Sequence, residues 1–145
     1  MSLGGPDDRL LALLLDQAQA RGAVIVAALP GAGAAGPFPA SHPGVLVVGS
    51  AQPLPAGVLL APGRDIPSAA PGGGWRLVTG SSFAAAHVAG LLALVRELDA
   101  KGLQAASLKT AFVILAQGRI DGCATLARYA GARGPACAVL GQTGD

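Results

Sequence analysis

The spacing of apolar positions changes several times along the chain, and each change predicts an element. Leu10, Leu13, Leu14 and Ala18 recur at helical spacing across Leu10 to Arg21. Pro6-Asp7-Asp8 precede them with turn and dipole signals, and Gly22 ends the run. Ala23 to Leu29 is then apolar throughout, with β-branched Val24, Ile25 and Val26, and is short enough for a strand buried on both faces. Pro30 to Pro39 reads as a Gly/Pro/Ala loop. Val45 to Val48, bracketed by Gly44 and Gly49, predicts a second buried strand, and Val58 to Ala61, ending at Pro62-Gly63, a third. Pro71 to Gly74 is a turn, after which Trp75 to Val78 predicts a strand leading into a bend at Gly80-Ser81-Ser82. A long buried helix is expected from Ser82 to Leu98, another from Lys101 to Leu115, and a short one from Thr125 to Tyr129. This order predicts an α/β fold built on a mainly parallel sheet. No repeat or linker divides it, so residues 1–145 are read as one piece of one domain.

Composition sharpens that reading. Hydrophobic residues make up 52% of the chain and charged ones 12%, against about 25% charged in an ordinary soluble domain. Such a chain has too little charge to cover its own surface. Two explanations fit: an Ala- and Gly-rich coding bias, or a piece cut from something larger. The net charge is only +2, and Lys and Arg are scattered without aromatic interleaving, so no nucleic-acid footprint is expected. The longest apolar run, Phe83 to Val95, contains His87 and Gly90 and reads as a core helix rather than a membrane span. The first residues lack the basic-then-apolar pattern of a signal peptide. Cys123 and Cys137 leave two options open: a disulfide closing a loop of about 15 residues, worth roughly 3 kcal/mol, or two thiols. Two cysteines and two distant histidines make no metal-ligand set, and no cofactor is expected.

The chemistry concentrates in Gly80-Ser81-Ser82-Phe83-Ala84-Ala85-Ala86-His87-Val88-Ala89-Gly90. A serine at the mouth of an apolar helix has its own N–H and the helix dipole facing a developing negative charge. Gly-Ser-Ser is equally a plain helix N-cap. The offsets of His87, Val88, Ala89 and Gly90 separate the two readings. The stretch closely resembles the nucleophile motif of subtilisin-like serine peptidases, G-T-S-x-A-x-P-H-V-A-G, with Ser81 in place of Thr and Ala86 in place of Pro. On that resemblance Ser82 is the nucleophile.

Other segments fall in the same order as in that family. Met1-Ser2-Leu3-Gly4-Gly5-Pro6 resembles the S-L-G-G-P strand that pairs with an extended substrate backbone. Ala18 to Ala28 resembles a helix end followed by a V-V-V-A-A strand. Phe38 to Gly49 resembles Y-P-A-x-Y-P-x-V-I-A-V-G, Leu60 to Ile66 the A-P-G-x-x-I turn, and Gly118 to Asp121 more loosely G-x-G-x-v-d. The resemblance therefore implies that residues 1–145 are the C-terminal, nucleophile-bearing half of a subtilisin-like domain. The expected fold is a partial three-layer sandwich with a central helix starting at the nucleophile. The implied substrate contacts are Ser2, Leu3, Gly4, Gly5, Ala28, Leu29 and Gly31. The expected partners are a peptide or protein substrate, and either the upstream half of the domain or a second copy. Neither nucleic acid nor membrane is expected, and an exported or periplasmic location is.

The chain also departs from the pattern. The D-[ST]-G and H-G-T-x-V motifs that carry the family's Asp and His are absent, and a serine hydroxyl is a poor nucleophile without a base. His87 lies five residues after Ser82, about 7.5 Å further along a helix axis and on another face. It is read as structural, as is His42, and Asp65 is read as a strand-edge charge. Gly31 occupies the position of the family's oxyanion-hole Asn, and the chain contains no Asn. These departures keep two alternatives in view: a non-catalytic peptide-binding relative, and a structural module that folds with a partner.

Overall fold

The computed structural model describes residues 1–99 and 108–130. Helix α1 (Arg9–Ala20) starts at Asp8, whose carboxylate accepts the Leu11 N–H at 2.9 Å. Strands β1 (Val26–Ala28), β2 (Leu46–Gly49) and β3 (Leu59–Leu60) form a parallel sheet in chain order, Val26 opposite Leu46 and Val48 opposite Leu59. Strands β4 (Ile66–Ala69) and β5 (Trp75–Val78) make an antiparallel hairpin, and α2 (Ser81–Leu98) follows at once. Helix α3 (Leu108–Ala111), the pair β6 (Val113–Ile114) and β7 (Ile120–Asp121), and α4 (Gly122–Ala130) complete the described chain. Arg119 bridges in parallel to Leu60, so the segment entering β7 extends the sheet beyond β3.

Alternation along the strands builds three layers. Val26, Ala28, Leu46 and Val48 point to one side, where Ala84, Ala85, Val88 and Leu92 of α2 close a core with Leu59, Ala61 and Phe112. Ile25, Ala27 and Val45 point to the other side and meet Leu15 of α1 and Phe38. The central strands are thus covered on both faces, which is why they read as continuous apolar runs. This is the expected α/β sandwich, in partial form.

Four details differ from expectation. Helix α1 packs through Leu11, Ala12, Leu15 and Ala18, leaving Leu10, Leu13 and Leu14 exposed, because one helical turn offers two apolar stripes and only one can face the sheet. The hairpin partner Ile66–Ala69 has no counterpart in the hydrophobic pattern, since Trp75 and Leu77 opposite it face solvent. Residues 113–114, expected to end a helix, are a strand. The N-terminal part of that expected helix lies outside the described residues, as does Cys137. Finally, α2 buries Ala84, Ala85, Val88, Leu92 and Val95 on one side only. Its other side opens onto an apolar trough of about 490 Å³ lined by Ile66, Phe83, Ala86, His87, Gly90, Leu91 and Leu94.

Candidate active site

The start of α2 is placed by glycine packing. Gly80 N–H donates to the Gly63 carbonyl at 2.7 Å. A Cβ on Gly63 would lie 2.7 Å from the Gly80 carbonyl oxygen and 2.6 Å from the Ser50 Cβ, so only glycine permits this approach. His87, about two turns further on, holds the same junction: its Nδ1–H donates to the Pro62 carbonyl at 2.8 Å. The neighbouring Asp65 adopts a positive φ of 53°, its N–H donating to the Thr79 hydroxyl at 3.0 Å. His87 and Asp65 therefore both act at the junction beneath the helix start.

Neither serine caps the helix. Gly80 is the N-cap and provides no side-chain cap, which leaves the first N–H groups of α2 to other acceptors. The Ser81 hydroxyl donates sideways to the Leu29 carbonyl at 2.6 Å, fastening the helix start to the end of β1. The Ser82 hydroxyl points the other way and accepts a hydrogen bond from the hydroxyl of Ser2. Position 82 is exposed.

The segment carrying Ser2 is pinned at both ends. The Met1 backbone N donates to the Val26 carbonyl and the Met1 carbonyl accepts the Ala28 N–H at 2.9 Å, so residue 1 pairs along the outer edge of β1. Gly5 exchanges backbone bonds with Phe38, at 2.9 and 3.2 Å. Between these anchors, Ser2, Leu3 and Gly4 line a cleft of about 150 Å³, together with Ala28, Leu29, Pro30, Gly31, Ala34, Ser81 and Ser82. The structure thus gathers Ser2, Leu3, Gly4, Ala28, Leu29, Gly31 and Ser82 in one depression. Gly5 lies outside the lining, with its backbone groups spent on Phe38.

None of the residues lining the cleft is ionisable. His87 lines the separate trough on α2. His42 is further removed in role: its Nε2 pairs with Asp16 Oδ1 at 3.0 Å, and its ring meets Phe38 edge-on at 6.0 Å. Among the described residues no group of three or more His, Cys, Asp or Glu is arranged to hold a metal ion. The cleft therefore presents serine hydroxyls, a helix N-terminus and the backbone of residues 2–4, a set able to meet a carbonyl group and an extended backbone.

Comparison with known proteins settles the family. The profile described as "Subtilase family" matches residues 1–131. The chain belongs to that family. It is 39% identical over 111 residues to "Subtilisin-like protease 1" of Trichophyton verrucosum, covering 68% of this chain and 28% of that subtilase. Its fold is similar to the self-cleaved protease domain of PatA, with a TM-score of 0.72 and 26% identity over 88% of this chain and 57% of that one. It is also similar to the PatG macrocyclase in complex with peptide, with a TM-score of 0.63 and 26% identity over 76% of this chain and 39% of that one. The chain thus spans less than a third of the length of its Trichophyton relative and little more than half of the PatA domain.

Ser2, Leu3, Gly4, Ala28, Leu29 and Gly31, contacts implied by the motifs, share this depression with Ser82. The Ser2–Ser82 contact joins residues 80 positions apart, and no local signal announces it. Pro30 and Ala34 also line the cleft and were not among the implied contacts.

Proposed function

We propose that this chain supplies the nucleophile and part of the substrate cleft of a serine endopeptidase, as the C-terminal half of its catalytic domain. On this reading, polypeptide upstream in the complete protein supplies the Asp and His. The observation that carries the reading is the position of the Ser82 hydroxyl: free of capping duty, at the start of α2, and in the lining of a cleft shared with Ser2, Leu3 and Gly4.

The chemistry follows from that position. Ser82 Oγ attacks the carbonyl carbon of a bound peptide while the upstream imidazole takes its proton, and the carbonyl oxygen becomes an oxyanion facing the N–H groups of the α2 terminus. Collapse breaks the C–N bond, and the imidazolium returns the proton to the departing amine. Water, deprotonated by the same imidazole, then releases the acyl group and restores Ser82. Ser2 to Gly4 would hold the substrate backbone by strand addition.

The cleft lining contains no side chain able to take the Ser82 proton, so the isolated chain is expected to be inactive. The apolar trough on α2 adjoins Phe83 and is where we seat the base-bearing upstream segment. Like other subtilisin-like peptidases, the complete protein is taken to act outside the cytoplasm. The test is to read the coding sequence ahead of Met1, then express the extended protein and assay casein cleavage. An in-frame extension carrying D-[ST]-G and H-G-T, with cleavage lost in Ser82→Ala, supports the proposal. A start codon at Met1 with no such partner encoded nearby sinks it.

One observation favours a second reading. Gly31 leaves open space where the family carries its Asn side chain, as in a relative that binds peptides without cutting them. Peptide binding by the extended protein, without cleavage, would establish that alternative.

A further inference from the structure

Oxyanion stabilisation ordinarily needs a side-chain or backbone donor beside the N–H of the nucleophile. Gly31 has no side chain, a Cβ built there meets nothing within 4 Å, and the neighbouring Pro30 has no N–H to offer. Two hydroxyls reach the start of α2. That of Ser81 is committed to the Leu29 carbonyl at 2.6 Å. That of Ser2 is directed at Ser82 Oγ, the atom on which the tetrahedral intermediate would form.

We propose that the Ser2 hydroxyl is the side-chain donor to that oxyanion, in place of a carboxamide at position 31. The inference rests on the reading of Ser82 as nucleophile. In the tetrahedral adduct, Ser82 Oγ and the oxyanion are bonded to the same carbon. A donor already aimed at Oγ reaches the neighbouring oxygen by rotation of its own side chain. Once Oγ has become an ester-like oxygen, the anion is the stronger acceptor and draws the bond to itself. The segment is built for this: Met1 is tied to β1 on one side of Ser2, and Gly5 to Phe38 on the other. Such a donor is positioned before the reaction and needs little reorganisation.

The test uses the protein extended upstream through its Asp–His pair, with a tripeptide boronic acid (acetyl-Ala-Ala-boroPhe), which forms a tetrahedral adduct with an activated serine hydroxyl, and the matching carboxamide, which does not. Boron-11 NMR and titration calorimetry read the adduct and the affinities. We expect Ser2→Ala to weaken the boronic acid by roughly 100- to 1,000-fold, the range seen when one oxyanion donor is lost. Carboxamide affinity should change less than about twofold, and Ser2→Thr should restore the boronic acid. Equal loss for both ligands, or no loss for either, overturns the proposal while leaving Ser82 as nucleophile. An adduct unchanged in Ser82→Ala, or no adduct on the unaltered extended protein, overturns the reading beneath it instead.

Discussion

The hydroxyl of Ser81 and the carbonyl of Leu29 lie 2.6 Å apart, joined by a hydrogen bond between the first turn of α2 and the end of β1. That bond turns one serine of the Gly-Ser-Ser bend into a fastener and leaves the next one facing the cleft. It also ties Leu29, which lines the cleft with Ser2, to the helix start.

Removing the fastener should therefore loosen this junction. Ser81→Ala is expected to destabilise the chain by about 1 kcal/mol, the usual net value of such a bond. Ser81→Thr should keep the bond and lose far less. Urea denaturation of the three proteins side by side measures both differences.

Gly63→Ala should be worse. The new methyl would meet Ser50 Cβ at 2.6 Å, the Gly80 carbonyl at 2.7 Å and Ala84 Cβ at 3.0 Å. Overpacking of this kind costs about 1–3 kcal/mol. Here the backbone at the start of α2 must give way as well. A lowered midpoint in thermal melts, together with weaker binding of the peptide boronic acid, is the expected pair of effects.

Thr125 is fully buried, and its hydroxyl works in two directions. It accepts the Val113 N–H at 2.9 Å and donates to the Asp121 carbonyl at 2.6 Å. Thr125→Val preserves the shape but strands the Val113 N–H, at a cost of about 1–3 kcal/mol. Thr125→Ser, which keeps the hydroxyl and leaves a small void, should cost less. The order of the two variants in a denaturant series checks the claim.

His87 is expected to be structural. Its Nδ1–H holds the Pro62 carbonyl at 2.8 Å beside the turn that receives Gly80. His87→Ala should lower stability by about 0.5–1.5 kcal/mol. In the completed protein it should leave kcat within about threefold of the parent. A loss of several powers of ten in kcat at unchanged stability would move His87 into the chemistry.

How far the fold was legible in the sequence depended on burial. Ile25 to Ala28 and Val45 to Val48 are covered on both faces, so their apolar runs announced the parallel strands. The β4–β5 hairpin has no such cover: Trp75 is 80% exposed, and its partner strand contains Pro67. Its turn uses Gly72, Gly73 and Gly74, all at positive φ, so the turn was readable although one strand was not. The two apolar stripes of α1 were ambiguous for a different reason, since only the tertiary contact chooses between Leu14 and Leu15. The residues that share a depression with Ser82 carry motif signals, residue by residue, and not a hydrophobic pattern. The meeting of Ser2 and Ser82 was not legible, because it arises from the pairing of Met1 with β1, a relation with no trace in local pattern.

The most direct test of the central claim is labelling by a fluorophosphonate, which reacts with a serine only when a base activates it. The probe would be applied to the 145-residue chain and to the protein extended upstream through an Asp–His pair, with the modified residue located by peptide mass mapping. The account predicts no labelling of the short chain, and labelling of the extended protein on Ser82 that disappears in Ser82→Ala. Labelling of the short chain at Ser82, or labelling of the extended protein that persists in Ser82→Ala, would contradict it.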